Sequence, residues 1–415
     1  MNQTTYLIAG SSHAAIEAVA AIRMVDPEGE VVMATADQRL PYSPTILPYV
    51  VSGRTSPETA TLRGAAWLEA NRVRFLAASP IAEVQPDQRQ VRMADGAVWR
   101  YERLLLATGA RPALPPIAGL AAQPHHVLRT VEDALALQAA IAGARQAVIL
   151  GAGLVGLHAA ETMRKAGLGV TVIEQKSQVL PGYFDGEASR MIEKAFRDHG
   201  IEMVMGETAA AVEAQDDKGF RLQLAGGGER AGDLLLIAAG VRPVTDFLAG
   251  SGVDLGQGVL VDARMRTSVP NVWAAGDVAQ ADRFLDGVKA MAGILPNAVE
   301  QGRIAGADMA GDSAVKPFPG SVPLNTFAYF GNHAISVGAL DEAGAVIETH
   351  AGDGCYIRLV IAEGRLRGIS AINHVVDAGL MWQLILRRID LAPVLQDFLA
   401  RPHEIGRVLM SRLWR

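Results

Sequence analysis

Three glycines carry the first chemical signal: Gly151, Gly153 and Gly156, in the segment GAGLVG. The spacing suits phosphate binding. The first glycine permits a tight turn, the second lets a pyrophosphate approach the backbone, and the third lets helix and strand pack closely. The helix that follows, opened by Leu154 and Val155, then aims its N-terminus at the phosphates. Glycine-rich loops are common, so the triplet alone says little. Here an apolar stretch precedes it and an alanine-rich stretch follows it, and Glu174 lies about twenty residues on, where an acid meets ribose hydroxyls. A carboxylate there repels a 2′-phosphate, which favours NAD(H) over NADP(H), although Lys176 nearby weakens that preference slightly.

A second, less regular copy stands at the start of the chain. Gly10 holds the first position of GSSHAA, while Ser12 and Ala15 hold the second and third. Small residues still allow close approach, and Ser12 can donate to a phosphate. Asp37 lies where the ribose acid of this copy belongs, or else it is a turn aspartate ahead of Arg39, Leu40 and Pro41.

These residues need elements to hold them, and the chain supplies the same construction twice. One copy runs from YLIAGSSHAA to LLLATGARP, the other from AVILGAGLVG to LLLIAAGVRP. The first predicts a strand Tyr6–Ala9, a helix from about His13 to Met24 and a strand near Val31–Thr35. A hairpin over Ala82–Tyr101 turns at Asp95-Gly96. The second predicts a strand Ala147–Leu150, a helix from Leu154 to about Ala166, a strand Val170–Glu174 and a hairpin around Asp216–Gly228. Two dinucleotide units imply two dinucleotides, most simply a flavin and a nicotinamide. The expected fold is α/β, with two Rossmann-like dinucleotide-binding domains and a C-terminal α+β interface domain. Residues 1–115 and 244–321 form the first, discontinuous domain, 116–243 the inserted second, and 322–415 the third.

Bulk properties narrow the class. A chain of 415 residues with half its residues apolar has length for two or three domains. A net charge of −6 gives no electrostatic case for nucleic acid. The start lacks the pattern of a signal peptide and no apolar run has the length of a membrane span, so a cytoplasmic protein without membrane contact is expected. The single cysteine, Cys355, precludes an internal disulfide, a dithiol pair or a four-thiolate cluster, and no metal site is expected.

Four further segments follow in order: ATGARP, LRTVEDALAL, TSVPNVWAAGDVAQ and PNAVEQGRIAG. Together with the glycine loops they resemble the pyridine-nucleotide–disulphide-reductase type of FAD protein, near its ferredoxin-reductase and nitrite-reductase-associated branches. The resemblance implies that the first domain binds FAD, through Gly10, Ser12, His13, Asp37, Ser43, Ala107, Thr108, Gly109, Gly276, Asp277 and Asn297. Asp277 would hold a ribityl hydroxyl, and Arg129 would reach the FAD from outside that domain. The second domain would bind NAD(H) through Gly151, Gly153, Leu154, Val155, Gly156, Glu174 and Gly240. Family members that reduce peroxide or disulfides carry a thiol where this chain has Ser43, Pro44 and Thr45, so thiol chemistry is not expected. Pro41 and Tyr42 match the ferredoxin-reductase branch. That branch pairs a lysine, near Tyr49 here, with a glutamate at the position of His158. Both charges are gone together, which avoids leaving one buried and unpaired. The nicotinamide pocket is then rebuilt around Tyr49 and His158, with Glu161 one turn on; alternatively His158 is a packed helix residue.

The segments SSHAAIEAVAAIRMVDPEG, LPYSPTILPYVVSG and VLPGYFD resemble more narrowly the FAD-containing reductase (epsilon) subunits of phenylglyoxylate dehydrogenase-type 2-oxoacid oxidoreductases. This resemblance implies an iron–sulfur electron-transfer subunit and thiamine-diphosphate 2-oxoacid oxidoreductase subunits as partners, with benzoyl-CoA, CO2 and NADH as products. Three alternatives stand: a free-standing NADH:ferredoxin or rubredoxin reductase, a flavin-bound NADH sensor or assembly protein that turns over poorly, and a paralogue with a vacant flavin site. Hydride transfer between two cofactors needs position rather than a protein nucleophile, so no acid–base residue is assigned. The end of the chain, RPHEIGRVLMSRLWR, predicts a helix with Ile405, Val408, Leu409 and Leu413 apolar and Arg407, Arg412 and Arg415 basic. It either closes the last domain or docks an acidic partner.

Overall fold

In a computed structural model of the chain the described residues are 2–215, 219–352 and 354–412. They divide into two compact units. The first comprises Met1–Leu47, Thr55–Arg111 and Val241–Ser321; the second comprises Pro48–Arg54, Pro112–Gly240 and Val322–Arg415.

The first unit is built on a sheet whose parallel strands run Val73–Leu76, Val31–Ala34, Asn2–Ala9 and Val98–Leu106, with Val272–Ala274 paired to the end of the last. The antiparallel strands Gln90–Met93 and Ile81–Gln85 extend it. Tyr6 to Ala9 are all buried, as an apolar run covered on both faces requires. The hairpin turning at Asp95-Gly96 is present, and a second reversal at Pro86–Gln88, unforeseen in the sequence, precedes it. Helix His13–Val25 packs on helix Leu295–Met309. Contact is close because Gly302 and Gly306 lack side chains: a Cβ on either would overlap the carbonyl oxygen of Ala14 or Ala18. The last turn of the second helix carries Asp308. Its buried carboxylate accepts hydrogen bonds from Arg266 Nε at 2.6 Å, Trp273 Nε1 at 2.8 Å and Arg264 Nη1 at 3.1 Å. The chain that returns after residue 243 is thereby pinned to the helix.

The second unit contains a four-stranded parallel sheet in the order Glu202–Met205, Gly169–Glu174, Gln146–Leu150, Leu234–Ile237. A three-stranded antiparallel sheet of Ala209–Ala214, Phe220–Leu224 and Glu229–Gly232 accompanies it. The turn expected from Asp216 begins at residues 216–218, which lie outside the described residues. A five-stranded antiparallel sheet follows, in the order Leu324–Tyr329, Asn332–Gly338, Arg365–Ile372, Cys355–Ala362, Val346–Gly352. Asp185 joins this sheet to helix Gly186–Asp198. It caps that helix through Glu187 N and Ala188 N, and also accepts from Tyr356 Oη at 2.8 Å and Ser370 Oγ at 3.0 Å. Helices Ala378–Leu386, Leu395–Ala400 and Pro402–Arg412 close the chain. The last of these buries Pro402 and Gly406, while Val408, expected on its apolar face, is exposed. Gly406 decides the packing, because its missing side chain lets Leu380, Met381 and Leu384 of the neighbouring helix approach. Leu413 and Arg415 lie outside the described residues. Among the described residues, no helix is long and apolar enough to cross a membrane.

Candidate nucleotide-binding sites

In the second unit, strand Gln146–Leu150 ends at Gly151, whose N–H donates to Ile173 O. Gly151 has φ +111°, and a Cβ there would overlap the Ala238 carbonyl oxygen. Gly156 faces the same loop from the helix, where a Cβ would overlap Gly151 O. Gly153 differs from both. It is the N-cap of helix Leu154–Lys165, with ordinary extended backbone and no atom within 4 Å of where its Cβ would lie. The three glycines therefore divide into two that let the loop fold and one that leaves room in front of the helix. No side chain caps this helix end, so its first amides are available to an anion. Gly240, also with positive φ, accepts from Ala113 N and likewise faces open space. Leu154 and Val155 form the first turn.

Glu174 closes the strand beside this loop and is buried. Its two carboxylate oxygens accept from Ala152 N and Lys176 N, both at 2.8 Å. The backbone of the glycine loop thus fixes the carboxylate, which keeps acceptor capacity for vicinal hydroxyls. Lys176 contributes its backbone amide to this arrangement. Changing Glu174 to Ala is expected to raise KM for NADH about tenfold, or ~1.4 kcal/mol, and to narrow the preference over NADPH. Steady-state KM values for both nucleotides test this; unchanged discrimination would remove Glu174 from the ribose site.

The first unit repeats the construction. Gly10 has φ +120°, donates to Ala34 O, and would overlap Ala107 O if it carried a Cβ. Gly10, Ala34 and Ala107 are therefore the counterparts of Gly151, Ile173 and Ala238. By this register the counterpart of Glu174 is Thr35, two residues before Asp37. Asp37 closes a turn: one oxygen accepts from Arg39 N at 2.9 Å, the other from Tyr42 Oη at 2.6 Å. Those bonds match the turn reading of this residue.

Around the N-terminus of helix His13–Val25 the structure gathers several expected residues. His13 Nε2 shares a 2.9 Å hydrogen bond with Ser43 Oγ, which in turn meets Thr45 Oγ1 at 2.7 Å. Burial lowers the His13 pKa; nearby Asp277 opposes that shift and Arg63 adds to it. Ser12 Oγ donates to Tyr42 O. Gly276, with φ +77° and Ala14 beside it, donates its N–H to Gln301 Oε1 at 2.9 Å. Asn297, one turn earlier on the same helix, is buried and donates to Ala292 O. Sequence reasoning passed over Gln301, although its i+4 spacing from Asn297 puts both on one helix face. Thr108 Oγ1 donates to Val244 O, and Val244 N donates to Gly109 O, tying this turn to the returning chain. Arg129 belongs to the second unit, where its N–H donates to Asp133 Oδ2 ahead of helix Val131–Gly143.

Tyr49, His158 and Glu161 all lie in the second unit. The His158 ring stands 6.3 Å from that of Tyr49 and meets Phe327 edge-on at 4.9 Å. The buried carboxylate of Glu161 accepts from Phe330 N at 2.9 Å and Lys165 Nζ at 2.5 Å, joining the nucleotide helix to the C-terminal sheet. Burial lowers the His158 pKa, with Glu161 opposing and Arg54 reinforcing. The folded-state value lies below the ordinary 6.5, so the unfolded chain takes up the proton first. Stability is then full above that pH and falls as the pH drops toward the folded-state value. Thermal melts of wild type and His158→Phe between neutral and mildly acidic pH should show a shallower acid loss in the variant. Parallel curves would contradict a buried neutral imidazole.

A family model described as pyridine nucleotide-disulphide oxidoreductase matches residues 4–312. The chain is 49% identical to the NADH-dependent phenylglyoxylate dehydrogenase subunit epsilon of Aromatoleum evansii, over 100% of this chain and 99% of that one. It is 26% identical to a probable ferredoxin reductase of Castellaniella defragrans, over 92% and 93% of the two chains. Among solved structures, the ferredoxin reductase for the CYP199A2 system of Rhodopseudomonas palustris superposes with a TM-score of 0.81. The identity is 26%, covering 89% of this chain and 91% of the other.

Proposed function

The chain belongs to the pyridine nucleotide-disulphide oxidoreductase family, and from that premise we propose that it is the reductase subunit of a 2-oxoacid dehydrogenase complex of the phenylglyoxylate type. It is an FAD-dependent NAD(H) oxidoreductase. In the proposed complex it passes electrons between an iron–sulfur partner and NAD, while thiamine-diphosphate subunits convert the 2-oxoacid to benzoyl-CoA and CO2. The observation that carries this reading is the end-to-end likeness to the epsilon subunit, which leaves neither chain with a large unmatched segment.

The residues fit both dinucleotides. The second unit offers the open space at Gly153, the uncapped helix end and the fixed carboxylate of Glu174. The first offers the Gly10 turn, the helix end at Ser12 and His13, and Asp277 beside them. When bound, FAD exchanges a hydride with the nicotinamide and electrons one at a time with a one-electron carrier. The chain's own part is to hold and orient. Gly151 and Gly156 shape the phosphate loop, Glu174 presents acceptors to a ribose, and His13 with Ser43 supplies a neutral hydrogen-bonded pair at the first helix end. With one cysteine in the whole chain, no dithiol takes part and any cluster belongs to the partner.

Reconstitution tests the proposal. Mixed with cluster-bearing and thiamine-dependent subunits, the flavin-loaded chain should make NADH formation depend on phenylglyoxylate and CoA, and leaving it out should stop that formation. A chain that reduces added ferredoxin rapidly with NADH but never joins such subunits would point to a free-standing reductase.

A further inference from the structure

The hydroxyls of Thr45 and Ser43 join His13 in an unbroken hydrogen-bonded line within the first unit. Thr45 is exposed, Ser43 is 5% exposed and His13 is half-buried, so the line runs from solvent into the protein. Its steps are 2.7 Å from Thr45 Oγ1 to Ser43 Oγ and 2.9 Å from there to His13 Nε2. Ser43 stands at the N-cap of the short helical turn Pro44–Ile46, where a serine side chain usually accepts from a backbone amide of its own turn. Here it caps nothing, and the hydroxyl meets its two side-chain neighbours instead. A hydroxyl both donates and accepts, and a neutral imidazole accepts at one nitrogen while donating at the other. Three such groups in line can pass a proton.

The proposed function creates a need for one. Exchange between FAD and NAD(H) moves a hydrogen nucleus together with its electron pair, so no solvent proton takes part. Electrons from an iron–sulfur partner bring no hydrogen with them. Two of them, delivered singly, must be joined by one proton from water to complete the hydrogen later passed to NAD. Oxidation by a one-electron carrier must return that proton.

We propose, resting on the FAD reading of the first unit, that Thr45, Ser43 and His13 relay this proton between solvent and the flavin whenever electrons arrive or leave singly. A proton from water enters at Thr45 Oγ1 as the Thr45 proton passes to Ser43 Oγ and the Ser43 proton to His13 Nε2. His13 then gives up the proton on Nδ1, so each group ends with the number it began with. Among the described residues, His13 Nδ1 has no hydrogen-bond partner that would hold this proton back. His13 is the first residue of the helix whose end the FAD reading gives to the flavin nucleotide. Asp277, assigned there to a ribityl hydroxyl, lies near enough to act on its charge. Asp277 and Arg63 are the charged groups acting on the imidazole, and burial holds its pKa below the ordinary 6.5, which keeps it a neutral acceptor at pH 7.

Stopped-flow reduction of the full, flavin-loaded chain tests the relay, with a reduced viologen as one-electron donor, NADH as reference and a pH-indicator dye to follow proton uptake. In wild type the viologen reaction should take up one proton per flavin and slow in deuterium oxide, whereas the NADH reaction should take up none. Thr45→Val keeps the branched shape and removes the hydroxyl. It should lower the ratio of viologen to NADH rates about a hundredfold, the low end of what a positioned proton donor contributes. Thr45→Ser should restore the ratio. An unchanged ratio in Thr45→Val, or Thr45→Ser as slow as Thr45→Val, would overturn the relay. A wild-type flavin that NADH fails to bleach would instead remove the FAD reading, and the relay with it.

Discussion

Gly153→Val is expected to raise KM for NADH by about a hundredfold or more, ~2.7 kcal/mol, while the chain stays folded and keeps its flavin. The reason lies in how the loop divides its glycines. Gly151 and Gly156 are pressed against backbone carbonyl oxygens, so enlarging either would disturb the fold itself. Gly153 has φ −78° with extended ψ, which any residue adopts, and nothing lies within 4 Å of its Cβ direction. Valine there costs about 1 kcal/mol at the helix N-cap. Its methyl groups fill the space through which a pyrophosphate reaches the helix amides. Stopped-flow reduction by NADH, paired with a thermal melt, separates the two effects. A folded variant that is reduced as readily as wild type would show that the nucleotide binds elsewhere.

Asp308→Ala should have the largest effect on stability, about 3 kcal/mol, because it strands two arginines and an indole N–H around an empty acceptor position. The figure is at the low end for a buried pair because the Arg266 side chain is 53% exposed and water screens part of its charge. Burial alone would raise the Asp308 pKa, but the hydrogen bonds from Arg266, Trp273 and Arg264 outweigh it and hold the carboxyl below its ordinary range. The depressed folded-state value means this stabilisation is present above the ordinary carboxylate pKa and disappears as pH falls through the folded-state one. Denaturant melts of wild type and variant should therefore differ most at neutral pH and converge in acid. A constant difference across that range would show that the loss comes from packing rather than charge.

What the sequence disclosed, and what it withheld, follows from the range of the interactions. Gly151, Gly153, Gly156 and Glu174 were legible because a turn, a close approach and a strand end are local demands that few residue types meet. The sequence placed the first helix correctly at His13 for the same reason. Asp37 was ambiguous because it stands near the end of a strand whose register is set elsewhere; only the pairing of Ala9 with Ala34 makes Thr35 the counterpart of Glu174. Glu161 was read from its place one turn beyond His158; that its carboxylate also meets a backbone amide 169 residues away is a contact no local pattern announces. Gln301, Gly302 and Gly306 sit on a helix whose sequence gives no sign that it packs against His13–Val25. The apolar spacing on Pro402–Arg412 made the helix legible, but not that Gly406 is buried while Val408 is exposed.

The most direct test of the central claim is an anaerobic titration of the purified, flavin-loaded chain with NADH, followed by absorbance, with a one-electron acceptor then added. The flavin band should bleach at about one NADH per flavin, with NADPH much less effective, and should return as the acceptor is reduced. A flavin that NADH leaves oxidised, or reduces without onward transfer, would contradict the assignment of this chain as the electron-passing reductase.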